Sequence, residues 1–284
     1  MNQLVPTLPL ELERQVFEMA ALCHPSTIPT LLLVCHHIHD WIEPLLYRVL
    51  SLNRSPSTDA QFAAASSKTI SFLQNAVRHV FIPGVSKPAG TKALLAKCPG
   101  VANLMLLRLF RDVVEAIQHL RPAKLSFFDP PHEFPGLLLT FDHPLFMNVT
   151  HLDIFHVYLD DEELKCAWGK WCSLTSLPKL THLALSPQLG HEILPQLLAE
   201  CPQLTLVVVG FWSASYLAKA VEFVQRLPVA DPRVVVLRAT HYFTDWEDGA
   251  HGADDFWARA DRFVVHKRNG EIPSTQYLLD ESEV

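Results

Sequence analysis

The sequence predicts an α/β fold, with a three-helix module in residues 1–52 and an irregular solenoid of strand–helix repeats in residues 76–252. Two observations support this prediction. Apolar residues recur every three or four positions in the N-terminal part, which is the period of a helix. Strand-sized apolar segments then recur at intervals of roughly 20–31 residues, which is the repeat length of a solenoid. The alternative is an open, mostly parallel α/β sheet.

The first helix is predicted to begin at Pro9 and to end near Pro25. Proline suits the first turn of a helix because no partner is available there for a backbone N–H. The residue before a proline avoids helical dihedral angles, so Pro25 marks the end. Leu12 and Val16 share one helix face at a spacing of four residues, and Phe17 widens this apolar stripe.

A second helical segment carries an uninterrupted apolar face. Its members alternate steps of three and four residues, as one face of a helix requires. Pro44 must break or bend this path, so we predict two helices with a bend rather than one straight helix. The residues of the face are Ile28, Leu31, Cys35, Ile38, Ile42, Leu45 and Val49.

Leu32, Val34, Trp41 and Leu46 lie off this face, and a second apolar face is more than a short helix needs for its own core. A helical unit of this size rarely closes a core alone, so it needs the following domain, a partner or both. We expect the regular face to pack against the rest of the chain. Leu8, Pro9 and the surplus faces that carry Phe17, Leu32 and Val34 are expected to contact a partner protein.

Four short motifs stand in order in this region. They are Leu8, Pro9, Glu11 and Leu12, then Val16 and Phe17, then Val34 and Cys35, and finally Leu46, Tyr47 and Arg48. Their order and spacing resemble an F-box, whose pattern is Leu-Pro-x-Glu-Leu, an Ile/Val-Phe pair, Val-Cys-Arg-x-Trp and a closing Leu-Trp/Tyr-Arg. The chain departs from this pattern at two positions, with His36 where arginine is usual and Ile38 where tryptophan is usual.

The resemblance implies that the helices bind a Skp-type adaptor of a cullin–RING ubiquitin ligase. The chain would then be a substrate-receptor subunit, and its repeat region would recruit a target protein. Apolar helix faces that fill a groove of the partner are the physical basis of such binding. The expected partner-binding residues are Leu8, Pro9, Leu12, Val16, Phe17, Leu31, Leu32, Val34, Cys35 and Trp41. The alternative is a non-ligase scaffold whose N-terminal helices only cap the repeats.

Two pairs of similar segments indicate internal repeats. Residues 95–104 are echoed by residues 198–204, and residues 149–154 share a Thr-His-Leu core with residues 178–185. These segments resemble the irregular leucine-rich repeats that follow many F-boxes, especially in large fungal families, although a regular Asn or Cys at the turn is missing. The predicted strands are 80–82, 104–109, 125–128, 152–155, 183–185, 206–209 and 234–237, and the predicted helices between them are 91–98, 112–120, 192–201 and 216–227.

The remaining boundaries follow from turn and capping residues. A polar cluster at residues 53–58 opens a segment (53–75) that holds a linker and a first helix. Asp254 or Asp255 can cap a C-terminal helix within residues 253–284, which we expect to seal the last repeat. Trp246 is expected to anchor the preceding loop. The proline-rich segment 129–136 is either a contact loop or a variable insertion.

Composition limits the classes of function. The chain has 284 residues, of which 49% are hydrophobic and 19% are charged, so it can bury a sizeable core. Its net charge of −7 argues against nucleic acid, which would favour a clustered basic face. The sequence has no signal-peptide pattern and no apolar run long enough to cross a bilayer. We therefore expect a cytoplasmic or nuclear protein without a membrane partner.

The sequence carries no pattern of a metal site or an active site. Cys35, His36, His37, His39 and Asp40 form its densest cluster of metal-ligand residue types, but no second pair of ligands follows at a fixed spacing. A Gly-x-Ser-x-Gly turn and a glycine-rich phosphate loop are also missing. We therefore expect a non-catalytic interaction protein that needs no cofactor and no metal, with its cysteines as free thiols.

Overall fold

A computed structural model describes residues 8–52, 56–83, 90–107, 111–129, 141–157 and 167–281. The proline-rich segment beyond Asp129, the thiol of Cys166 and the last three residues of the tail lie outside these ranges. Within them, no helix combines the length and the apolar character that crossing a membrane requires.

The described residues form a sheet of nine strands, in which every neighbouring pair is parallel and the strands lie side by side in sequence order. All seven predicted strands are present, as β2 to β8, whereas β1 and β9 were not predicted. The fold is therefore mixed α/β with a parallel sheet, as the alternative prediction describes. The strands are β1 (Val49–Ser51), β2 (His79–Ile82), β3 (Asn103–Leu106), β4 (Lys124–Asp129), β5 (His151–Val157), β6 (His182–Leu185), β7 (Leu206–Phe211), β8 (Val234–Arg238) and β9 (Leu278–Asp280).

Helices precede the sheet, connect its strands and follow β8. In the predicted second segment the chain turns at residues 32–34 as well as at Pro44, which lies in a 3-10 helix (Glu43–Tyr47). The α-helices are α1 (Leu10–Cys23), α2 (Ile28–Leu31), α3 (His36–Ile42), α4 (Pro56–Ser67), α5 (Ile70–Ala76), α6 (Thr91–Leu95), α7 (Arg111–Ile117), α8 (Ala167–Trp171), α9 (Pro187–Glu200), α10 (Leu217–Gln225), α11 (Tyr242–Ala250) and α12 (Phe256–Arg268).

Side chains alternate between the two faces of the sheet, because successive residues of a strand point in opposite directions. On β3, for example, Leu104 and Leu106 belong to the large core that packs against the connecting helices α4 to α10. Met105 belongs to a second core on the opposite face. Both faces of the sheet are therefore buried, which explains why its strands are apolar almost throughout.

One backbone contact recurs at the amino end of successive strands. A carbonyl just before each of the strands β1 to β6 accepts hydrogen bonds from two consecutive N–H groups of the next unit, at 2.8–3.3 Å. The threonine hydroxyls of Thr150, Thr181 and Thr205 donate to the same carbonyls. Strands β2 to β7 are thus each tied to their predecessor in the same way. The accepting carbonyls belong to Arg48, Arg78, Ala102, Ala123, Thr150 and Thr181.

The second face of the sheet is covered by α11 and α12, which we call the C-terminal helix pair. Trp246 of α11 donates from Nε1 to Oδ1 of Asn103 on β3, at 3.1 Å. Lys124 Nζ on β4 donates to Asp255 Oδ2 at the start of α12, at 2.7 Å. The pair therefore reaches strands far from β8 and β9, which precede and follow it in the chain.

The rest of α12 returns across the sheet towards β8. Its Asp261 carboxylate lies 3.2 Å from His182 Nε2 on β6. Lys267 near its end donates from Nζ to the carbonyl oxygen of Val234 on β8, at 2.7 Å. We expected this helix to seal the last repeat; it leads into β9, and its contacts extend back to β4.

The crossover connection from β8 to β9 has the opposite handedness to the earlier crossovers. Helices α9 and α10 pack on the large core, whereas α11 and α12 pack on the second core. All strands nevertheless run parallel and advance in the same direction. Crossovers that pass over opposite faces of such a sheet have opposite hands, and left-handed crossovers are rare. The sequence offered no sign of this change.

Two predictions for the C-terminal region had different outcomes. The helix capped by Asp255 is confirmed, because Asp255 Oδ1 accepts a hydrogen bond from the Ala258 backbone N–H at 3.0 Å. The loop predicted around Trp246 is wrong, because this residue lies inside α11. The buried aromatic faces of α11 outweigh the weak helix propensity of its Asp and Gly residues.

Candidate protein-interaction surface

The N-terminal helices enclose a small core of their own. Ala21, Ile28, Ile38 and Ile42 are its buried members, and they form a cluster separate from both cores of the sheet. The regular apolar face predicted from Ile28 onwards points into this cluster. Val49 is the exception, since it lies in β1 and belongs to the second core of the sheet.

Helix α1 has apolar residues on two opposite faces. Phe17 and Ala21 pack into the small core of the N-terminal helices. Leu12, Val16 and Met19 lie on the other side, because steps of four and three residues return to the same helix face. These three side chains are about half exposed, with 51% exposure for Val16. The outer face of α1 is therefore an apolar surface that the protein itself does not cover.

The turn between α2 and α3 adds a second apolar segment. Leu33 is 85% exposed and Val34 is 52% exposed. Their positions are fixed by hydrogen bonds from the Leu33 N–H to the Thr30 carbonyl at 3.1 Å and from the Val34 N–H to the Leu31 carbonyl at 3.2 Å. Two consecutive large apolar side chains in an ordered, exposed turn are unfavourable in water and are typical of a surface that a partner covers.

The ten residues predicted to bind a partner divide into two groups. The exposed group consists of Leu8, Pro9, Leu12, Val16 and Val34. The other five are half-buried and pack against the small core; they are Phe17, Leu31, Leu32, Cys35 and Trp41.

Five further exposed apolar residues of the same region were not among the predicted contact residues: Leu10, Met19, Leu22, Leu33 and Leu46. Met19 could have been found from its spacing with Leu12 and Val16, since all three share the outer face of α1. Leu33 could not, because it lies in a turn and therefore follows no helical period. We use the name N-terminal apolar surface for the exposed apolar residues from Leu8 to Val34.

No protein-family model and no curated protein matches this chain.

The N-terminal helices are joined to the sheet by a polar contact. Glu43 in the 3-10 helix accepts a hydrogen bond from Lys68 Nζ at 2.6 Å, and this bond raises the pKa of Lys68. The same ammonium group lies over the rings of Tyr47 and Phe72, at 5.6 and 5.2 Å from their centres. Gln61 of α4 donates to the Val49 carbonyl at 2.9 Å and so occupies the outer edge of β1.

Titratable side chains lie buried beneath the C-terminal helix pair. Asp153 of β5 is 1% exposed and accepts a hydrogen bond from the Tyr242 hydroxyl, and burial raises the pKa of Asp153 to about 7. His151 stacks on His182 with their ring centres 4.0 Å apart, and burial lowers the pKa of His151 to about 3. These groups fasten the helix pair to the sheet.

Metal ligands are not assembled in the described ranges. No group of three or more His, Cys, Asp or Glu side chains is placed there to hold a metal ion. A cavity of about 300 Å³ at the carboxyl ends of the last strands is lined by Asp245, Arg259 and Glu281 among others. Of the three carboxylates that line this cavity, those of Asp245 and Glu281 pair with the Arg259 guanidinium, and the third belongs to Asp248. The charged groups around Arg259 therefore form a structural ion-pair network rather than a binding site.

Proposed function

We propose that this chain is a substrate-receptor subunit of a cullin–RING ubiquitin ligase, with an F-box-like N-terminal module that docks on a Skp-type adaptor. The observation that carries the proposal is the N-terminal apolar surface. Several of its side chains belong to the motifs that resemble an F-box, and the sheet and its helices leave them exposed. The predicted contact residues Leu12, Val16 and Val34 are all among them.

The energetics of such docking are favourable. Burying each large apolar side chain contributes roughly 1.5–3 kcal/mol before the costs of association are subtracted. A stable interface generally needs about 1,000 Å² of buried surface. Two separate elements, the outer face of α1 and the turn at Leu33, contribute to the surface. A groove or ridge on the partner that contacts both would fix its orientation on the module.

The region after the module is proposed to be an irregular leucine-rich-repeat-like solenoid. Support comes from the sequence order of the strands and from the backbone contact that recurs at six successive carbonyls. In solenoids each unit contacts mainly its neighbours, and such arrays present extended surfaces to other proteins. The region would recruit a target protein and raise its effective concentration near the conjugating enzyme, without catalysis by this chain.

The proposed recruitment is restricted by the C-terminal helix pair. The pair forms hydrogen bonds with three side chains on the second face of the sheet, those of Asn103, Lys124 and His182. A target protein would therefore bind the connecting helices or a rim of the sheet, rather than the face that the pair occupies.

The second candidate function is a non-ligase scaffold, in which the N-terminal helices cap the repeats. The observation that favours it is the junction with the sheet. Tyr47 is buried in the large core, and Glu43 is bonded to Lys68. This junction would orient a docking module equally well, so it does not account for the exposed side chains on the far side of α1.

Co-purification of the full chain with a Skp-type adaptor distinguishes the two functions. The substrate-receptor proposal predicts that the wild type retains the adaptor and that Leu12→Asp and Leu33→Asp lose it, because each change places a charge in an apolar interface. Met147→Asp is the matched control, since Met147 is 57% exposed and lies outside the module. Failure of the wild type to retain the adaptor would favour the scaffold.

A further inference from the structure

We propose that the C-terminal end of the sheet is a self-association surface, at which β9 pairs antiparallel with β9 of a second copy of the chain and α10 packs against α10 of that copy. Two observations support this inference. Backbone groups of β9 point away from the sheet, and an apolar stripe on α10 lies beside them. The association is independent of adaptor docking, because the N-terminal apolar surface belongs to helices that precede β1, at the opposite end of the strand order.

Strand β9 presents an open backbone edge. In the described part of the chain, β8 is its sole neighbouring strand. The Val236 N–H donates to the Tyr277 carbonyl at 2.8 Å, so residues 277 and 279 direct their backbone groups towards β8. Successive residues of a strand direct these groups to opposite sides. The N–H and C=O of Leu278 therefore point away from β8, where another strand can pair with them.

The first strand shows how such an edge is closed elsewhere in the protein. The Gln61 side chain of α4 donates from Nε2 to the Val49 carbonyl at 2.9 Å and to the Leu46 carbonyl at 3.2 Å. Sheet edges are commonly covered in this way, because an open edge pairs with other strands. No described helix follows β9 in the chain. The two ends of the sheet therefore differ.

The side of α10 next to this edge is apolar. Phe223 faces the preceding helix, since its ring contacts that of His191 on α9, with their centres 6.0 Å apart. Leu217, Val221 and Val224 recur at steps of four and three residues, on the side of α10 that faces away from α9. Leu217 and Val221 are 42% and 38% exposed, and α10 contacts β9. These side chains thus lie where the connecting helix of a further unit would pack.

A second copy of the chain supplies both parts of the missing neighbour. A two-fold axis beside Leu278 places this residue opposite its own counterpart. Each Leu278 N–H then donates to the other Leu278 carbonyl, as in a hydrogen-bonded antiparallel pair. The Leu278 side chain belongs to the face of the large core, on which α10 also lies. The two leucines therefore meet beneath the two copies of α10, and the apolar stripes face each other across the axis.

The charges near this end are compatible with the pairing of two identical surfaces. The stripe on α10 contains no charged side chain, and the neighbouring Glu222 and Arg226 pair with each other. Asp280 pairs with Arg238 on β8. In the proposed register Asp280 lies opposite Gln276 of the second copy. Two like charges therefore do not face each other, which would be destabilising in a pair of strands.

Sedimentation equilibrium of the full chain tests the association. A short strand and one helix stripe form a small interface, so we expect a reversible monomer–dimer equilibrium with a dissociation constant of about 1–100 μM. Val221→Asp should weaken dimerisation at least about tenfold, because it places a charge in an apolar contact. A wild type that is monomeric at about 500 μM, or a Val221→Asp variant that dimerises as the wild type does, would overturn the proposal.

Ile70→Asp is the matched control for this substitution. Ile70 is 59% exposed on α5, which precedes β2 and therefore lies towards the other end of the sheet. The change adds the same charge to an exposed β-branched position, so the dissociation constant should stay within about twofold of the wild-type value. Equal weakening by Ile70→Asp and Val221→Asp would assign the effect to net charge and would refute the role of α10.

Proline at position 278 tests the pairing of the strands. Leu278→Pro removes the N–H that the second copy needs, and an edge strand tolerates proline where this N–H points away from the sheet. Leu278→Ala is the control, since it shortens the same side chain and keeps the N–H. The proline variant should dimerise at least about tenfold more weakly than the alanine variant, because both hydrogen bonds at the axis are lost. Melting curves verify that both variants are folded, and equal dissociation constants would refute pairing through β9.

A disulfide tests the register. The Cα atoms of a hydrogen-bonded antiparallel pair lie about 5.5 Å apart, within reach of a disulfide, so Leu278→Cys should link to the same residue of the second copy under mild oxidation. Gln276→Cys should not form such a link, because its counterpart lies too far along the strand. Mass spectrometry of the linked peptides separates these bonds from any that involve the natural cysteines. A dimer that gives no link in Leu278→Cys would mean that another surface holds the copies together.

Discussion

Tyr242 of α11 donates a hydrogen bond from its hydroxyl to the buried carboxyl group of Asp153 on β5, which joins the C-terminal helix pair to the middle of the sheet. Burial is the main cause that raises the pKa of Asp153, from 3.8 to about 7. The protonated carboxylic acid is thus favoured in the folded protein at moderately acidic pH.

This contact predicts how stability depends on pH. A carboxyl group whose folded pKa is raised stabilises the fold below its unfolded pKa, and this contribution is lost as the pH rises through the folded value. For Asp153 the loss extends from about pH 4 to pH 7 and amounts to no more than about 4 kcal/mol. Asp153→Asn keeps an acceptor for Tyr242 but cannot ionise, so it should be less sensitive to pH.

Urea unfolding at pH 5 and pH 8 tests this prediction. From pH 5 to pH 8, the free energy of unfolding of the wild type should decrease relative to that of Asp153→Asn, because the other titrating groups contribute equally to both proteins. Asp59→Asn, at an exposed position of α4, should retain the wild-type change. An identical pH dependence for Asp153→Asn and the wild type would show that Asp153 does not titrate in this range.

Histidine burial predicts a loss of stability in acid. Burial lowers the pKa of His79 to about 4 and that of His151 to about 3, both from 6.5. Their contribution is complete above the unfolded pKa and is lost as the pH falls through the folded values. The stability that these histidines contribute should therefore decrease between about pH 6.5 and pH 4, opposite in direction to the contribution of Asp153, and should lower the melting temperature relative to a variant that lacks them.

His151→Phe should make this decrease smaller, because phenylalanine can stack on His182 without taking up a proton. His24→Phe is the control at an exposed position and should follow the wild type. Melting curves at pH 7, 5.5 and 4 make the comparison. A decrease of the same size in His151→Phe and the wild type would contradict the role assigned to this histidine.

The bond between Trp246 and Asn103 predicts a double-mutant result. Both residues are buried, and Trp246→Phe leaves the Asn103 side chain without its donor. An unsatisfied buried polar group costs about 1–3 kcal/mol. Trp246→Phe combined with Asn103→Leu removes both partners and should regain much of this loss. Chemical denaturation of the two single variants and the double variant measures the coupling, and strictly additive losses would mean that the bond contributes little.

Within the N-terminal module, we expect a buried residue and an exposed residue to differ in their contribution to stability. Ile42 is fully buried in the small core, so Ile42→Ala should cost about 2–5 kcal/mol. Leu33 is exposed, so Leu33→Ala should change stability by less than about 0.5 kcal/mol and should affect only partner binding. Thermal unfolding of both variants tests this contrast. A large loss of stability in Leu33→Ala would mean that this side chain is covered by the chain itself.

The strand positions could be predicted from the sequence because the strands alternate or run apolar over short lengths. The Thr-His-Leu segments illustrate this, since Thr150 and Thr181 occupy equivalent positions before β5 and β6. Strand β1 was missed because Val49 happens to continue the helical spacing of the preceding segment. Strand β9 was missed because it pairs with β8, from which the whole C-terminal helix pair separates it in sequence.

The candidate surface could be predicted only in part. Motif spacing identified Leu12, Val16 and Val34, which are exposed, but it could not separate them from Phe17, which packs inward. Which of two apolar faces is covered depends on tertiary packing.

Calorimetric titration of the full chain with a purified Skp-type adaptor tests the central claim most directly. The account predicts saturable one-to-one binding with a negative heat-capacity change, since apolar side chains leave water. Val16→Asp should abolish the binding heat, and Met147→Asp should preserve it. Absence of binding by the well-folded wild type, or equal binding by wild type and Val16→Asp, would contradict the claim that the N-terminal apolar surface docks this adaptor.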